Sequence, residues 1–387
     1  MSLTRVDAGF VPLVDAAALI VAREIGFAAE EGIDLVLHRE ASWAALRDRL
    51  VWDSYQVAHM LSPVPIALSA GLGGIAVAVD ALSVLSVNGD MVGLRPDLAA
   101  RLGPVDLGDA AGVGRALLAQ AGGGLRIGVP FPFSMHAELL SYWIQGLGAA
   151  AEVSVRTVPP PQMVEAMALG EIDAFCVGEP WGSVAVERGV ADLILAGSAI
   201  WQFAPEKVLA AKRDWLVAEP DIAAALLRAV WRAGRWSADP RNAITIAELL
   251  GRADYLDLSP EIIERPLRGR LVINGRGEEQ QVRACIEFFA GAATFPWRSQ
   301  AVWIADALAA RTGQDRARLR AVARACFRSD IYRAVLGPVG ADLPGASEKL
   351  EGALEHRTAV GSIKGGMLLG PDRFFDGRVF DPVAVDG

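Results

Sequence analysis

Residues 6–65 read VDAGFVPLVDAAALIVAREIGFAAEEGIDLVLHREASWAALRDRLVWDSYQVAHMLSPVP, and the order of patterns in this stretch decides the fold. Val6–Leu13 is an apolar run of strand length. Ala16–Glu31 carries helical periodicity, with Asp15 as the expected N-cap and Gly32 as the C-terminal stop. Asp34–His38 reads as a second strand and Ser42–Val51 as a second helix. Gln56–Met60 is a third short strand, ending in Leu61-Ser-Pro-Val-Pro. Strand and helix alternating in this way predict an α/β fold with a parallel sheet. Its ligand edge is expected where strands end and helices begin.

The same alternation returns downstream. The Gly- and Ala-rich stretch 101–124 is expected to be a helix in a linker-like context. Leu125–Val129 is a strand, followed by a loop, Phe131-Pro-Phe-Ser-Met-His136, and a helix over Glu138–Gly146. Val153–Val158 is a strand, Pro159-Pro-Pro a break, and a helix runs to about Leu169 before Gly170–Gly178 enters another strand. Two such units predict two lobes with a cleft between them, a common place for ligands. Residues 4–90 are expected to begin lobe 1 and 91–199 to form lobe 2. Residues 200–387 return to lobe 1 and add a helical C-terminal extension, mostly helical from Asp214 to Leu336, with an irregular tail from Gly361 to Pro382.

The composition narrows the function. The chain has 387 residues, 52% hydrophobic and 21% charged, enough for two ordinary cores. A net charge of −9 speaks against nucleic acid or an acidic membrane surface as partner. It also means that any anionic ligand must find its donors and positive charge locally. Cys176, Cys285 and Cys326 are too sparse for a disulfide framework and fit a reducing compartment. His38, His59, His136 and His356 show no metal-ligand spacing, so no metal is expected. The most apolar stretch, Ile66–Val87, is interrupted by Asp80 and carries three glycines; it is expected to be buried strand and turn rather than a membrane span. The start Arg5-Val-Asp-Ala-Gly-Phe opens directly as a strand without a basic, apolar, small-residue leader, which favours a cytoplasmic protein over a periplasmic one whose leader has been removed.

No nucleophile elbow, P-loop or dinucleotide fingerprint stands in a strand–helix context, and Cys176 sits in an expected buried strand. The reading is therefore a binding protein with no cofactor, not an enzyme. By type alone a lone tryptophan, histidine or lysine is more often a packing or surface residue, and the chemistry of three of them is what the motifs below draw on. Trp43 opens the second helix, where an indole N–H and the helix N-terminus, including the Ala45 amide, both offer donors to an anion. His136 stands between strand and helix. Lys207 is a cation, and one buried charge-assisted hydrogen bond contributes about 1.5–3 kcal/mol.

Longer motifs carry a resemblance. Ala41-Ser-Trp-Ala-Ala-Leu-Arg-Asp, His59-Met-Leu-Ser-Pro-Val-Pro, Asn88-Gly and Phe131-Pro-Phe-Ser-Met-His136 occur in family order. So do Gly170-Glu-Ile-Asp-Ala-Phe-Cys-Val-Gly-Glu-Pro-Trp181, Pro205-Glu-Lys-Val and Phe375-Asp-Gly-Arg-Val-Phe-Asp-Pro. Over nearly the whole chain this resembles the nitrate- and bicarbonate-binding proteins of ABC importers. The resemblance implies a type II periplasmic-binding-protein-like fold that closes on a small oxyanion. It places Trp43, His136, Lys207, Asp90 and Ala45 at the ligand, and His59, Pro63, Glu179 and Trp181 in the cleft wall or hinge. With no leader visible, the chain looks nearest the cytoplasmic NasS-type nitrate/nitrite sensors, whose partner is a NasT-type antiterminator. The alternative is the binding component of an ABC importer, with a permease as partner. A third possibility by fold analogy is a thiamine-pyrimidine-precursor enzyme, for which no lysine motif is evident. One departure stands out: importers of nitrate tend to carry glutamine after Asn-Gly, and here Asp90, an acceptor when ionised, takes that place.

Overall fold

The computed structural model describes residues 3–120, 124–148 and 153–384. The first strands are β1 (Thr4–Phe10), β2 (Ile33–Arg39), β3 (Val57–Leu61) and β4 (Val79–Asn88). β1 lies between β2 and β3 and pairs parallel with both, as right-handed strand–helix–strand crossovers require. After β4 the chain crosses into a second sheet built from β5 (Asp90–Leu94), β6 (Leu125–Val129), β7 (Val153–Thr157), β8 (Ala174–Gly178) and β9 (Asp192–Ala196), in the order β7-β6-β8-β5-β9. It then returns as β10 (Pro205–Lys212), which pairs antiparallel with β3 and β4 in the first sheet. Two short pairs, β11 (Arg270–Val272) with β12 (Glu279–Gln281) and β14 (Thr358–Val360) with β15 (Met367–Leu369), flank β13 (Ile286–Glu287), which edges the first sheet beside β4.

The two crossings lie side by side. Gly89, with φ of 110°, turns the chain between β4 and β5, a conformation open mainly to glycine. Asn88 fastens this turn to the return crossing: its side chain donates to the carbonyls of Gln202 at 2.9 Å and Ala284 at 3.0 Å and accepts from Ala204 N–H at 3.2 Å. The helix Arg298–Thr312 reaches toward the second sheet, where Arg311 pairs with the buried Glu138 at 2.6 Å. An aromatic stack of Trp201, Trp303 and Phe374 buries the tail against the same helix.

Several expectations are corrected. The helix expected over residues 16–31 is Ala17–Glu24 and Phe27–Glu30, split at Gly26, whose φ is 92°. Residues 66–87 are not strand and turn throughout. Helix Pro63–Ser69 comes first, opened by a proline that suits the first helical turn. Asp80, in the strand that follows, is fully buried but paired with Arg213 at 2.6 Å and Arg328 at 2.8 Å. The 101–124 region holds the end of Pro96–Leu102 and the whole of Ala110–Gln120; residues 121–123 lie outside the described residues. The tail is not wholly irregular, since β15 falls within it. No helix among the described residues is long and apolar enough to cross a membrane.

Candidate functional site

Side chains converge where β1, β3, β6 and β8 end, the edge that parallel strands leave open for ligands. From the first sheet come Asp15 in the turn after β1, Trp43 at the start of helix Trp43–Val51, His59 on β3, and Glu206 and Lys207 on β10. From the second come Asp90 at the start of β5, His136 in the first turn of helix Met135–Gly146, and Glu179 just past β8. His136 is therefore helical, two residues inside an N-cap at Ser134 whose hydroxyl accepts from Ala137 N–H at 3.2 Å. Ser42 caps the Trp43 helix in the same way, accepting from Ala45 N–H at 3.2 Å.

The two sides meet directly. Trp181 Nε1 donates to Pro12 O at 2.9 Å, and Val14 N–H donates to Glu179 O at 2.9 Å. Gly178, opposite Asp90 in the sheet, borders the cluster: a β-carbon there would press on Leu13 at 3.0 Å and reach ordinary contact with Asp15 Oδ2 and His136 Nε2 at 3.7 Å. None of Asp15, Trp43, His59, Asp90, His136, Glu179, Glu206 and Lys207 is more than 2% exposed. The cluster is thus sealed from water, where charge interactions are strong and unmet polar groups costly.

Lys207 organises its charges. The ammonium lies 2.6 Å from Asp15 Oδ2 and 2.8 Å from Glu206 Oε1, and 5.4 Å above the Trp43 ring. His136 bridges the two sheets, with Nδ1 3.2 Å from Glu206 Oε1 and Nε2 2.8 Å from Asp90 Oδ1. His59 Nε2 is 2.9 Å from Asp15 Oδ1. The imidazole contacts lack hydrogen-bond geometry, so they are close approaches and not made bonds.

Burial works against every charge here, and the neighbours decide which survive. For Asp15, burial is outweighed by Lys207 and then His59, and its pKa falls below the ordinary value. For Lys207, burial is outweighed by Asp15, Glu206 and Asp90, so the ammonium is held. Burial lowers the His136 pKa to about 4 and that of His59 in the same direction, which keeps both rings neutral. Burial also raises Asp90 against the pull of Lys207, and raises Glu206 with help from the Asp90 charge. Glu179, apart from this group, is pushed up to about 7 by burial.

The site has open valences. Trp43 Nε1 is buried without a hydrogen-bond partner among the described residues, as are both Asp90 carboxylate oxygens and Glu206 Oε2. Asp90, His136 and Glu206 offer ligand atoms within 4.8 Å of one another, a donor set and spacing that could hold a metal ion. Sequence spacing could not suggest such a group, because its members come from β5, a helix and β10.

Of the residues named from sequence, Trp43, Asp90, His136, Lys207 and His59 are brought together, with Glu179 and Trp181 at the junction of the two sheets. Ala45 is half-buried and its amide is taken by the Ser42 cap. Pro63 opens a helix beside Ser62, whose hydroxyl donates to Pro205 O at 2.6 Å and so fastens β3 to β10. Three residues were missed. Asp15 is not a helix cap but a buried partner of Lys207 and His59. Glu206 stood unremarked beside Lys207, although two adjacent charges ahead of the apolar run Val208–Ala211 are a legible signal. Gly178 was visible only as part of a motif.

Two α/β sheets enclosing a polar cluster at their facing strand ends define the periplasmic-binding-protein class. More narrowly, the chain belongs to the NMT1-like family, matched over residues 2–251. It is similar to the nitrate/nitrite binding protein NrtA of Nostoc sp., 28% identical across 98% of this chain and 83% of that one. It is 35% identical to the bicarbonate transport ATP-binding protein CmpC of Synechocystis sp. across 67% of this chain, but spans only 39% of that longer protein. The crystal structure of the periplasmic nitrate-binding protein NrtA from Synechocystis superposes with a TM-score of 0.85, at 27% identity, covering 98% of this chain and 96% of that one.

Proposed function

We propose that the chain is the binding component of an ABC-type importer and closes two lobes on one small oxyanion. The observation that carries this reading is the sealed cluster itself. Seven polar or aromatic side chains, drawn from both sheets, cluster together at 2% exposure or less. A ligand there touches both halves, and only contacts that differ between open and closed states shift the balance toward closure. Trp43 supplies a donor from one side and His136 from the other, and Lys207 brings positive charge to the cluster in a chain whose net charge is −9. The lobes in this reading are residues 4–90 with 200–387, and 91–199. The paired crossings at Asn88-Gly89 and 197–205 are the hinge.

Relatives named for nitrate and bicarbonate import favour this role over the cytoplasmic sensor with a NasT-type partner. They favour the periplasm in the same way. A binding role also fits better than catalysis, since the neutral histidines and the paired lysine leave no activated nucleophile in the cluster. Titration calorimetry with nitrate, nitrite, bicarbonate and a small sulfonate tests the reading. Binding of at least one of the first three below millimolar is expected; failure of all of them would overturn it.

A further inference from the structure

A second cavity lies away from the sealed cluster, among elements of the C-terminal half. Helix Pro220–Ser237, the loop after β13, helix Ser329–Leu336, residues 340–344 and the β14–β15 hairpin border a space of about 380 Å³. That is at the small end of the range for small-molecule sites. Its walls are aromatic. Trp231 and Phe289 meet edge to face at 5.5 Å, and both are only part-buried. Phe295 and Tyr332, fully buried, pack in the same manner at 5.4 Å. Tyr332 Oη and Thr294 Oγ1 lie 2.7 Å apart, so the two buried hydroxyls satisfy each other. What remains for a ligand is ring surface, which favours a flat apolar body.

The mouth carries charge. Arg235, one helical turn past Trp231, and Lys364, in the hairpin turn, are exposed and line the cavity from two different elements. Neither has a carboxylate within ion-pair reach among the described residues; the Lys364 ammonium donates to Gly340 O. The acidic group in the lining, Asp342, is engaged, accepting from the Ser362 hydroxyl at 2.9 Å and from Lys364 N–H at 3.2 Å. Two unpaired cations against one engaged carboxylate make a local excess of positive charge in a chain whose net charge is −9, and such a patch favours an anion. We propose that this cavity is a second binding site, taking a small aromatic carboxylate whose ring lies against Trp231 and Phe289 and whose charge is met by Arg235 and Lys364. It stands apart from the cleft and holds whichever ligand the cleft takes. Its position gives an occupant a route to the crossing between the sheets: Ala284 O receives the Asn88 side chain at 3.0 Å and Ile286 pairs with Asn88, and from there the chain runs directly into Phe289.

The test uses the whole chain and its Arg235→Gln, Lys364→Gln double variant. Both positions are exposed, so the variant is expected to fold, and circular dichroism checks this. Benzoate, phenylacetate and indole-3-acetate are titrated into each protein by calorimetry, each beside its own uncharged amide. Hydrogen–deuterium exchange then locates whichever binds. At least one of the three carboxylates is expected to bind the wild type below millimolar, with slowed exchange over residues 286–295 and 358–369. Its affinity is expected to fall about tenfold or more in the double variant, and its amide to bind the wild type about tenfold or more weakly, the scale of one lost charged contact. The amide comparison uses the unaltered chain and so decides the matter even if the variant is destabilised. Failure of all three carboxylates to bind below millimolar overturns the proposal. A smaller loss in the amide comparison, or in a folded variant, shows apolar contact only and overturns the role of the cations. Slowed exchange confined to other segments, those of the cleft included, overturns the location.

Discussion

Lys207→Met keeps the aliphatic stem and removes the ammonium. The Asp15 carboxylate then loses the cation 2.6 Å away, and the Glu206 carboxyl loses its neighbour at 2.8 Å. Removing one member of a buried ion pair costs about 3–5 kcal/mol, because the remaining charge stays out of water without a partner. Burial already favours the neutral form of Glu206, so Asp15 is the charge left without a partner and that range applies to it alone. Total stability of folded domains is about 5–15 kcal/mol, so the deficit is a large share of it. In urea unfolding followed by tryptophan fluorescence, the midpoint is expected to fall by roughly 1–2 M at neutral pH. The sign of the pH dependence follows from Asp15. In the wild type its pKa is lowered, so it contributes stability above its unfolded value, and that stability is lost as pH falls through the folded value. Without Lys207, burial dominates and the same carboxyl is raised, so the variant's deficit should shrink on acidification. Adding Asp15→Asn to the variant should return part of the loss, as expected for contacting groups. A midpoint unchanged at neutral pH, or a deficit that grows toward acid, would refute the assignment of Lys207 as the cation that holds this cluster together.

Other outcomes follow from single side chains. Glu179 is held at about 7 against an ordinary 4.5, so between these values the folded chain keeps a proton that the unfolded chain has lost. Stability therefore falls as pH rises through that window, and the penalty persists above it. Glu179→Gln should raise the melting temperature at mildly alkaline pH, by up to about 3 kcal/mol in stability, and leave it unchanged near the lower end; equal melting at both pH values would count against this. Gly178→Ala places a methyl 3.0 Å from Leu13 and 3.7 Å from Asp15 and His136. Calorimetric affinity for whichever anion binds the wild type should drop about tenfold or more, the equivalent of about 1.4 kcal/mol, and undiminished affinity would place the ligand elsewhere. Trp43→Phe keeps an aromatic ring but deletes a buried, unpartnered N–H together with part of the indole. Ligand affinity should fall by about 1.5–3 kcal/mol, beyond any loss of stability from the cavity the smaller ring leaves; loss of stability without loss of affinity would make Trp43 a packing residue.

The alternation of strands and helices was legible because each pattern repeats several times, so that β1 to β3 and the returning strands of the second sheet could be read from period alone. What misled was local. Asp15 precedes a helix-like run and has the chemistry of a cap, yet a buried His59 and Lys207 compete for the same carboxylate, and in a sealed environment they win. The apolar run after Pro63 is short, and periodicity cannot tell a buried helical turn from a buried strand at that length. Trp43, His136 and Lys207 came from motif resemblance, since a lone tryptophan, histidine or lysine says little. The metal-capable trio Asp90, His136 and Glu206 had no signal, because proximity across two sheets leaves no spacing in the chain.

The seal around the cluster has a temporal consequence. With its side chains at 2% exposure or less, an ion held there as proposed would leave only when the two sheets part. On that proposal the ion would wait for Trp181 to leave Pro12 and for Val14 to leave Glu179, so its residence time would be set by the protein's own clock and not by the strength of any one contact. Arrival is governed in the same way: at high ligand concentration the observed rate should level off at the rate of conformational change. Tightening a single contact within the cluster would then lengthen occupancy only insofar as it delays opening, and a partner that pries the halves apart would empty the site without competing for the ion.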